Sequence, residues 1–194
     1  MSVGCFEPPR RPARQLSARP LGGGSRSQLM DVEVAEADLS NPYHAQGLVD
    51  VLDSYARELV GGARPLHPSV RERLVPELTA QANAIILLAF AQGRTIGAAV
   101  CFLGFSTFAA RPVLNIHDLA VLPEFRGSGA GRALLQAVES RARKHGCCKL
   151  TLEVREDNER ARSLYESVGF GDFAPGADPT PTVFLEKRLG PAAF

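Results

Sequence analysis

The 194-residue sequence has no tryptophan and contains only four cysteines and two methionines. It also lacks a marked excess of one charge, because 22 basic and 21 acidic residues leave a net charge of +1. This balance argues against a general electrostatic attraction to nucleic acid or anionic lipid, so neither is expected as a partner. The cysteines form no CxxC pair and have no histidine at zinc spacing, so no metal site and no disulfide framework is expected.

Long hydrophobic runs are absent as well. The longest apolar stretches, residues 85–91 and 96–105, are well short of the roughly 18 residues that a membrane-spanning helix needs. A hydrophobic content of 45% is nevertheless enough for one domain with a sizeable core. We therefore expect a soluble protein with no membrane partner and a cytoplasmic location.

Residues 1–28 differ in composition from the rest of the chain, since they are rich in Arg, Pro, Gly and Ser and contain one acid, Glu7. Such a segment cannot build a core, so residues 1–29 are predicted to be a disordered tail, with Met30 as the functional start. The same composition also suits an organelle transit peptide, although four prolines oppose the required helix. The predicted domain spans residues 30–189, and residues 190–194 form a short C-terminal tail.

Hydrophobic periodicity predicts strands and helices in a mixed arrangement. Period-two alternation or short apolar runs predict strands over residues 31–36, 85–92, 95–105, 113–122, 149–155 and 183–187. Helical spacing predicts helices over residues 42–59, 69–80, 132–145 and 159–168. Because hairpin and crossover connections both occur, we expect an α/β fold in which helices flank a mixed sheet.

Residues 126–131, which read Arg-Gly-Ser-Gly-Ala-Gly, separate a predicted strand from a predicted helix. A helix that begins on small residues leaves its first backbone N–H groups uncovered at the positive end of the helix dipole, where a diphosphate can bind. The P-loop is excluded because Arg132-Ala133 stands where Lys and Ser or Thr are required, and no G-x-G-x-x-G spacing is present. The spacing that matches is Arg/Gln-x-x-Gly-x-Gly/Ala.

This loop resembles the acetyl-coenzyme A loop of the GNAT family of N-acetyltransferases. Upstream, residues 116–127 are similar to the family's strand that ends in Pro-x-aromatic-Arg-Gly. Downstream, residues 150–154 and 158–170 are similar to its next strand and short helix, so the likeness covers about 60 residues in family order. It implies the GNAT acyl-CoA N-acyltransferase fold, in which two parallel strands, residues 113–122 and 149–154, splay apart to admit the pantetheine arm.

The resemblance implies an N-acetyltransferase that moves the acetyl group from acetyl-CoA, a cosubstrate, to a primary amine by direct transfer in a ternary complex. A small-molecule amine is the expected acceptor; a peptide or protein acceptor, and a non-catalytic acyl-CoA-binding sensor, stay open. A homodimer through the final strands is a further expectation. The residues expected to contact the cofactor are Leu119, Ala120, Val121, Arg126, Gly127, Ser128, Gly129, Ala130, Gly131, Arg132, Asn158 and Arg162.

Tyr165 is the candidate general acid. In the resembled family a tyrosine at this helix position lies beside the thioester sulfur, and a phenol of ordinary pKa near 10 stays protonated at neutral pH. Tyr165 also belongs to an apolar helical stripe with Ala161, Leu164 and Val168, a pattern that by itself favours core packing. Asn158 has two open interpretations as well, a helix N-cap and a cofactor contact.

The general base stays open between His117, Asp118 and Glu153. Histidine titrates nearest to neutral pH, and Glu153 on the adjacent strand could act directly or through a water molecule. Because side chains alternate along a strand, His117 and Asp118 are predicted to lie on opposite faces, so that only one of them faces the acceptor.

Overall fold

The computed structural model describes residues 31–58 and 62–171. The predicted N-terminal tail, the strand predicted over residues 183–187 and the predicted C-terminal tail lie outside these residues. The described elements, in chain order, are β1 Glu33–Glu36, α1 Pro42–Ala56, α2 Pro68–Thr79, β2 Ala84–Ala91, β3 Arg94–Ser106, β4 Arg111–Val121, a 3₁₀ turn Pro123–Phe125, α3 Ala130–Lys144, β5 Leu150–Leu152 and α4 Glu159–Glu166.

The strands within the described ranges form one sheet in the order β1-β2-β3-β4-β5. Strands β1 to β4 pair antiparallel, and β5 pairs parallel with β4. The turn between β2 and β3 has two left-handed residues, Gln92 at φ 51° and Gly93 at φ 69°, as a tight two-residue hairpin requires. The mixed sheet predicted from the connections is therefore confirmed.

Helices cover both faces of the sheet, and each face has its own core. On one face, Leu134 and Val138 of α3 are fully buried in the same cluster as Leu87 and Leu114. On the other face, Leu48 of α1 is buried with the alternate residues of β2 and β3. Burial of each such aliphatic side chain contributes roughly 1.5–3 kcal/mol to stability. Alternate side chains of β2 and β3 are thus buried against helices on opposite faces of the sheet.

The parallel pair β4–β5 is short. It runs from Leu114 opposite Leu150 to Ile116 opposite Leu152, whereas β4 continues to Val121. The strand predicted over residues 149–155 is therefore shorter than expected, because after Leu152 the two backbones separate and no ladder bonds hold the chain extended. This separation creates the gap between parallel strands that the resemblance implies.

Helix α3 begins at Ala130, two residues earlier than the apolar periodicity predicts. Its N-cap is Gly129, which has φ 94°, a left-handed conformation that glycine adopts without the Cβ clash of other residues. The helix ends before Gly146, whose φ of 68° fits the left-handed residue that follows many helices. The glycine conformation, rather than the hydrophobic pattern, determines where this helix starts.

Candidate active site

The loop that joins β4 to α3 presents free backbone donors. Within the described residues, no acceptor takes a hydrogen bond from the N–H groups of Gly127, Gly129, Gly131 or Arg132. The N–H of Ala130, by contrast, donates to the hydroxyl of Ser128 at 3.3 Å. Several N–H groups at the positive end of a helix form a suitable site for a diphosphate. We call residues 126–131 the phosphate cradle.

A cavity of about 390 Å³ adjoins the phosphate cradle. Its walls come from both faces of the sheet, with α1 on one side and α3 and α4 on the other, so it passes through the gap beside β4. The lining residues are Tyr55, Glu58, Leu119, Ala120, Val121, Phe125, Arg126, Gly127, Gly129, Ala130, Gly131, Arg132, Asn158, Arg160, Ala161, Leu164 and Tyr165. Most of the residues predicted to contact the cofactor are thus brought to one cavity.

Tyr165 lies on the α4 side of this cavity, where its ring packs 5.7 Å from that of Phe170. Burial raises the pKa of Tyr165 to about 12, and the nearby phenol of Tyr55 adds to the shift. The phenol is therefore protonated throughout the neutral range, where it can serve as a proton donor and not as a general base. The two interpretations of Tyr165, core packing and proton donation, are compatible, because its ring packs against Phe170 while the residue also lines the cavity.

The prediction that His117 and Asp118 lie on opposite faces is wrong, because β4 contains a bulge. Val100 pairs with Asp118 whereas Cys101 pairs with Ile116, so His117 is the extra residue. Asp118 therefore shares the face of its partner Val100, which belongs to the α1 core. The His117 ring contacts the ring of Phe102 on that same face, edge-on at 5.7 Å. A bulge suspends strand alternation, and both side chains face α1.

Asp118 is the more buried member of this pair. Burial raises the pKa of its carboxyl group, and the neighbouring His117 works in the opposite direction. No donor among residues 31–58 and 62–171 makes a hydrogen bond to its carboxylate. A desolvated carboxylate without donors is a stronger proton acceptor than a free one, so Asp118 has the character of a general base.

Tyr55 of α1 and Glu58, which follows the helix, also line the cavity. The sequence pattern does not indicate either residue. Tyr55 is half-buried, and burial together with the charge of Asp118 raises the pKa of its phenol. Glu58 lies one turn further and forms an ion pair with Arg126 at the start of the phosphate cradle. Tyr55 had only an apolar helix pattern and Glu58 only a charged one, and their partners are about 60 residues away in sequence.

A buried carboxylate fixes this end of α1. Asp53 accepts hydrogen bonds from Arg57, the C-cap residue of α1, and from the backbone N–H of Leu66, and it forms an ion pair with Arg71 on α2 at 2.8 Å. Burial alone would raise the pKa of Asp53, but these partners outweigh it and hold the pKa below its ordinary value. Asp53 therefore connects α1, Leu66 and α2, close to Tyr55 and Glu58.

Most arginines near the phosphate cradle are engaged with protein groups. Arg126 donates to the carbonyl of Val121 at 3.2 Å in addition to pairing with Glu58, and Arg132 donates to the hydroxyl of Ser167 at 2.7 Å. Arg162 does not line the cavity, because it faces the carbonyl of Glu156 at 3.4 Å and the carboxylate of Glu166 at 4.0 Å. Its predicted cofactor contact is not supported by this position.

The remaining predicted residues divide between the cavity and the surface. Asn158 caps α4 by accepting a hydrogen bond from the N–H of Ala161 at 3.2 Å, and it also lines the cavity. Its two interpretations are therefore compatible. Glu153 is exposed, follows the last residue of β5 and does not line the cavity. Ser128 does not line the cavity, and its hydroxyl accepts the hydrogen bond from the N–H of Ala130.

Among the residues described, no helix is long and apolar enough to cross a membrane. The same residues contain no cluster of three or more His, Cys, Asp or Glu side chains that could hold a metal ion.

The chain matches known acetyltransferases in sequence and in fold. The model of the acetyltransferase (GNAT) family matches residues 48–170, more than half of the chain. An N-acetyltransferase of Bacillus subtilis is 37% identical over 88 residues, 45% of this chain and 59% of that protein. An aminoglycoside N(6′)-acetyltransferase of Stenotrophomonas maltophilia is 32% identical over 125 residues, 63% of this chain and 78% of that protein.

A solved aminoglycoside N-acetyltransferase in complex with CoA has a TM-score of 0.61 at 17% identity, over 82% of this chain and 96% of that one. At this identity the likeness concerns the fold. The chain spans about half the length of the first curated relatives that it matches.

Proposed function

Because the chain belongs to the acetyltransferase (GNAT) family, we propose that it transfers the acetyl group of acetyl-CoA to a primary amine of a small molecule. The observation that carries the proposal is a continuous cavity that begins at the free N–H groups of the phosphate cradle and reaches Tyr165. The acceptor class is supported by the aminoglycoside enzyme, of whose length this chain covers 78%.

In the proposed reaction, the N–H groups of the phosphate cradle hold the diphosphate, and the gap beside β4 receives the pantetheine arm. The amine nitrogen attacks the thioester carbonyl carbon, and a C–N bond forms as the C–S bond breaks. One amine proton passes to a base, and the leaving sulfur takes the proton of the Tyr165 phenol. The direct transfer needs no covalent enzyme intermediate, so both substrates must be bound together.

We assign the general base to Asp118, which does not itself line the cavity but precedes the cavity-lining Leu119 and acts by its charge on the cavity-lining Tyr55. Its carboxylate is desolvated on the α1 face and its pKa is raised, which brings the group closer to the pH at which the enzyme would work. His117 is the neighbour that modulates this charge, and its ring is exposed. Glu153 is exposed beyond the end of β5 and, unlike Asp118, is not desolvated beside a cavity-lining residue, so we give it no role in proton transfer.

The first experiment is a calorimetric titration of the purified protein with acetyl-CoA. The saturated complex is then mixed with aminoglycosides, polyamines, amino acids and peptides while free thiol is measured. Binding at micromolar concentration and thiol release with a small amine are the expected results. Release with peptides alone would replace the small-molecule acceptor by a polypeptide, binding without any release would indicate a sensor, and absence of binding would reject the cradle.

A further inference from the structure

We propose that Arg160 binds the 3′-phosphate of the coenzyme, so that this chain distinguishes CoA from its 3′-dephospho form. The inference rests on the proposed function, because it concerns the same cavity. Arg160 stands in the first turn of α4 and lines the cavity, and it was not among the residues that the sequence pattern indicated.

Charge is the first reason. The ionisable cavity-lining residues beside the phosphate cradle are Glu58, Arg126, Arg132 and Arg160, three cations and one anion. Glu58 already pairs with Arg126, so two positive charges remain without a carboxylate from the lining itself. The diphosphate has its own partners in the free N–H groups of the loop, so this positive excess fits an additional anionic group on the same ligand.

The state of each guanidinium group is the second reason. Arg126 is held by Glu58 and the carbonyl of Val121, and Arg132 is held by Ser167. Arg160 is exposed, and within residues 31–58 and 62–171 no oxygen accepts a hydrogen bond from it. A cation in the first turn of a helix opposes the helix dipole, so an anionic ligand relieves an unfavourable arrangement there.

The position of Arg160 along α4 is the third reason. It favours the 3′-phosphate over the diphosphate as the group that Arg160 binds. The cavity face of α4 consists of Arg160, Ala161, Leu164 and Tyr165. Tyr165 marks the thiol end of this face, and Arg160 lies five residues earlier, roughly 7–8 Å along the helix axis. The phosphate cradle approaches the same face at Leu164, since a Cβ on Gly131 would lie 3.0 Å from Leu164 Cδ2. Arg160 therefore lies on the nucleotide side of the diphosphate site.

The test compares two ligands and three proteins by calorimetry: CoA and 3′-dephospho-CoA, with the wild type, Arg160→Gln and Arg162→Gln. Arg162 is the matched control, because it is an arginine of the same helix that faces Glu166 and does not line the cavity. In the wild type we expect CoA to bind about five- to tenfold more tightly than the dephospho form, less than the usual strength of a charge-assisted hydrogen bond because the Arg160 side chain is exposed.

In Arg160→Gln we expect this preference to disappear through weaker CoA binding, with dephospho-CoA unaffected, and Arg162→Gln should keep it. Equal weakening of both ligands by Arg160→Gln would overturn the assignment in favour of the diphosphate. Equal affinity of the two ligands for the wild type would also overturn it while leaving the proposed function intact. If neither ligand binds the wild type, the proposed function itself is refuted, which is a separate outcome.

Discussion

The two halves of the cavity are built in different ways. The proposed cofactor half is a single stretch of backbone, the end of β4 and residues 126–131, in which the free N–H groups are the atoms proposed to bind the ligand. The proposed acceptor half depends on side chains from separate elements: Tyr55 in α1 and Glu58 just after it line the cavity, and Asp118 at the β4 bulge does not line it but acts by its charge on Tyr55. A site made of backbone is defined by local sequence, whereas a site made of side chains depends on how distant elements pack.

The largest effect on acetyl-CoA binding is expected from Gly129→Glu, which places a side chain in the phosphate cradle. The substitution adds a Cβ at φ 94° and a negative charge beside free N–H groups, so acetyl-CoA binding should be abolished in calorimetry. Gly93→Glu is the control, because Gly93 is also left-handed at φ 69° but lies in the β2–β3 turn. Retained affinity in the Gly129 variant would remove the phosphate cradle from the site.

Within the acceptor half, Asp118→Asn removes the proposed base while keeping its shape. We expect kcat to fall about 100-fold, within the usual range for general bases, with the affinity for acetyl-CoA unchanged. The acid limb of the pH profile of kcat/KM should lie above the ordinary aspartate range in the wild type, because burial raises the pKa of Asp118. Survival of that limb in the variant would assign it to another group, with His117 the nearest alternative.

The same variant should be more stable than the wild type at neutral pH. Because the folded-state pKa of Asp118 is raised, its contribution to stability is complete below the unfolded-state pKa and is lost as the pH rises through the folded-state pKa. Asparagine does not ionise, so the Tm of Asp118→Asn should exceed that of the wild type by about 2–4 °C at pH 7.5. The difference should shrink toward pH 4, and a difference independent of pH would contradict this account.

Tyr165→Phe tests the point at which the two halves meet. Loss of the proton donor should lower kcat by about tenfold or more, while calorimetry should find little change in acetyl-CoA affinity. Tyr43→Phe is the matched control, since the hydroxyl of Tyr43 donates to the carbonyl of Gly93 outside the cavity. Turnover that is the same in both variants would leave Tyr165 with packing alone.

The smallest effect is expected from Glu58→Gln, which breaks the ion pair between Glu58 and Arg126 of the phosphate cradle. Glu58 competes with an anionic ligand for Arg126, so the variant should bind CoA about three- to fivefold more tightly, the limit for a partly exposed ion pair. The control is Glu77→Gln, which breaks an exposed pair with Arg73 on α2. Weaker CoA binding would instead mean that the Glu58–Arg126 pair holds the cavity in shape.

Local pattern predicted most elements correctly but missed features that depend on backbone conformation. The β2–β3 hairpin, strand β4 and the amphipathic helix α3 all follow from apolar spacing, because each buries apolar side chains at regular intervals. The early start of α3 at Gly129 and the bulge at His117 both depart from that spacing. Each arises from a residue whose backbone leaves the regular conformation, which hydrophobic periodicity cannot detect.

The sequence by itself determined the mixed α/β fold, the phosphate cradle and its family, because these depend on neighbouring residues and on glycine at fixed spacing. Only the tertiary structure decided that Tyr55 and Glu58 border the cavity and that Arg160 rather than Arg162 faces it. It also decided that His117 and Asp118 share a face. The physical reason is that these relations join elements far apart in sequence, and they depend on bulges and helix packing that leave no periodic pattern.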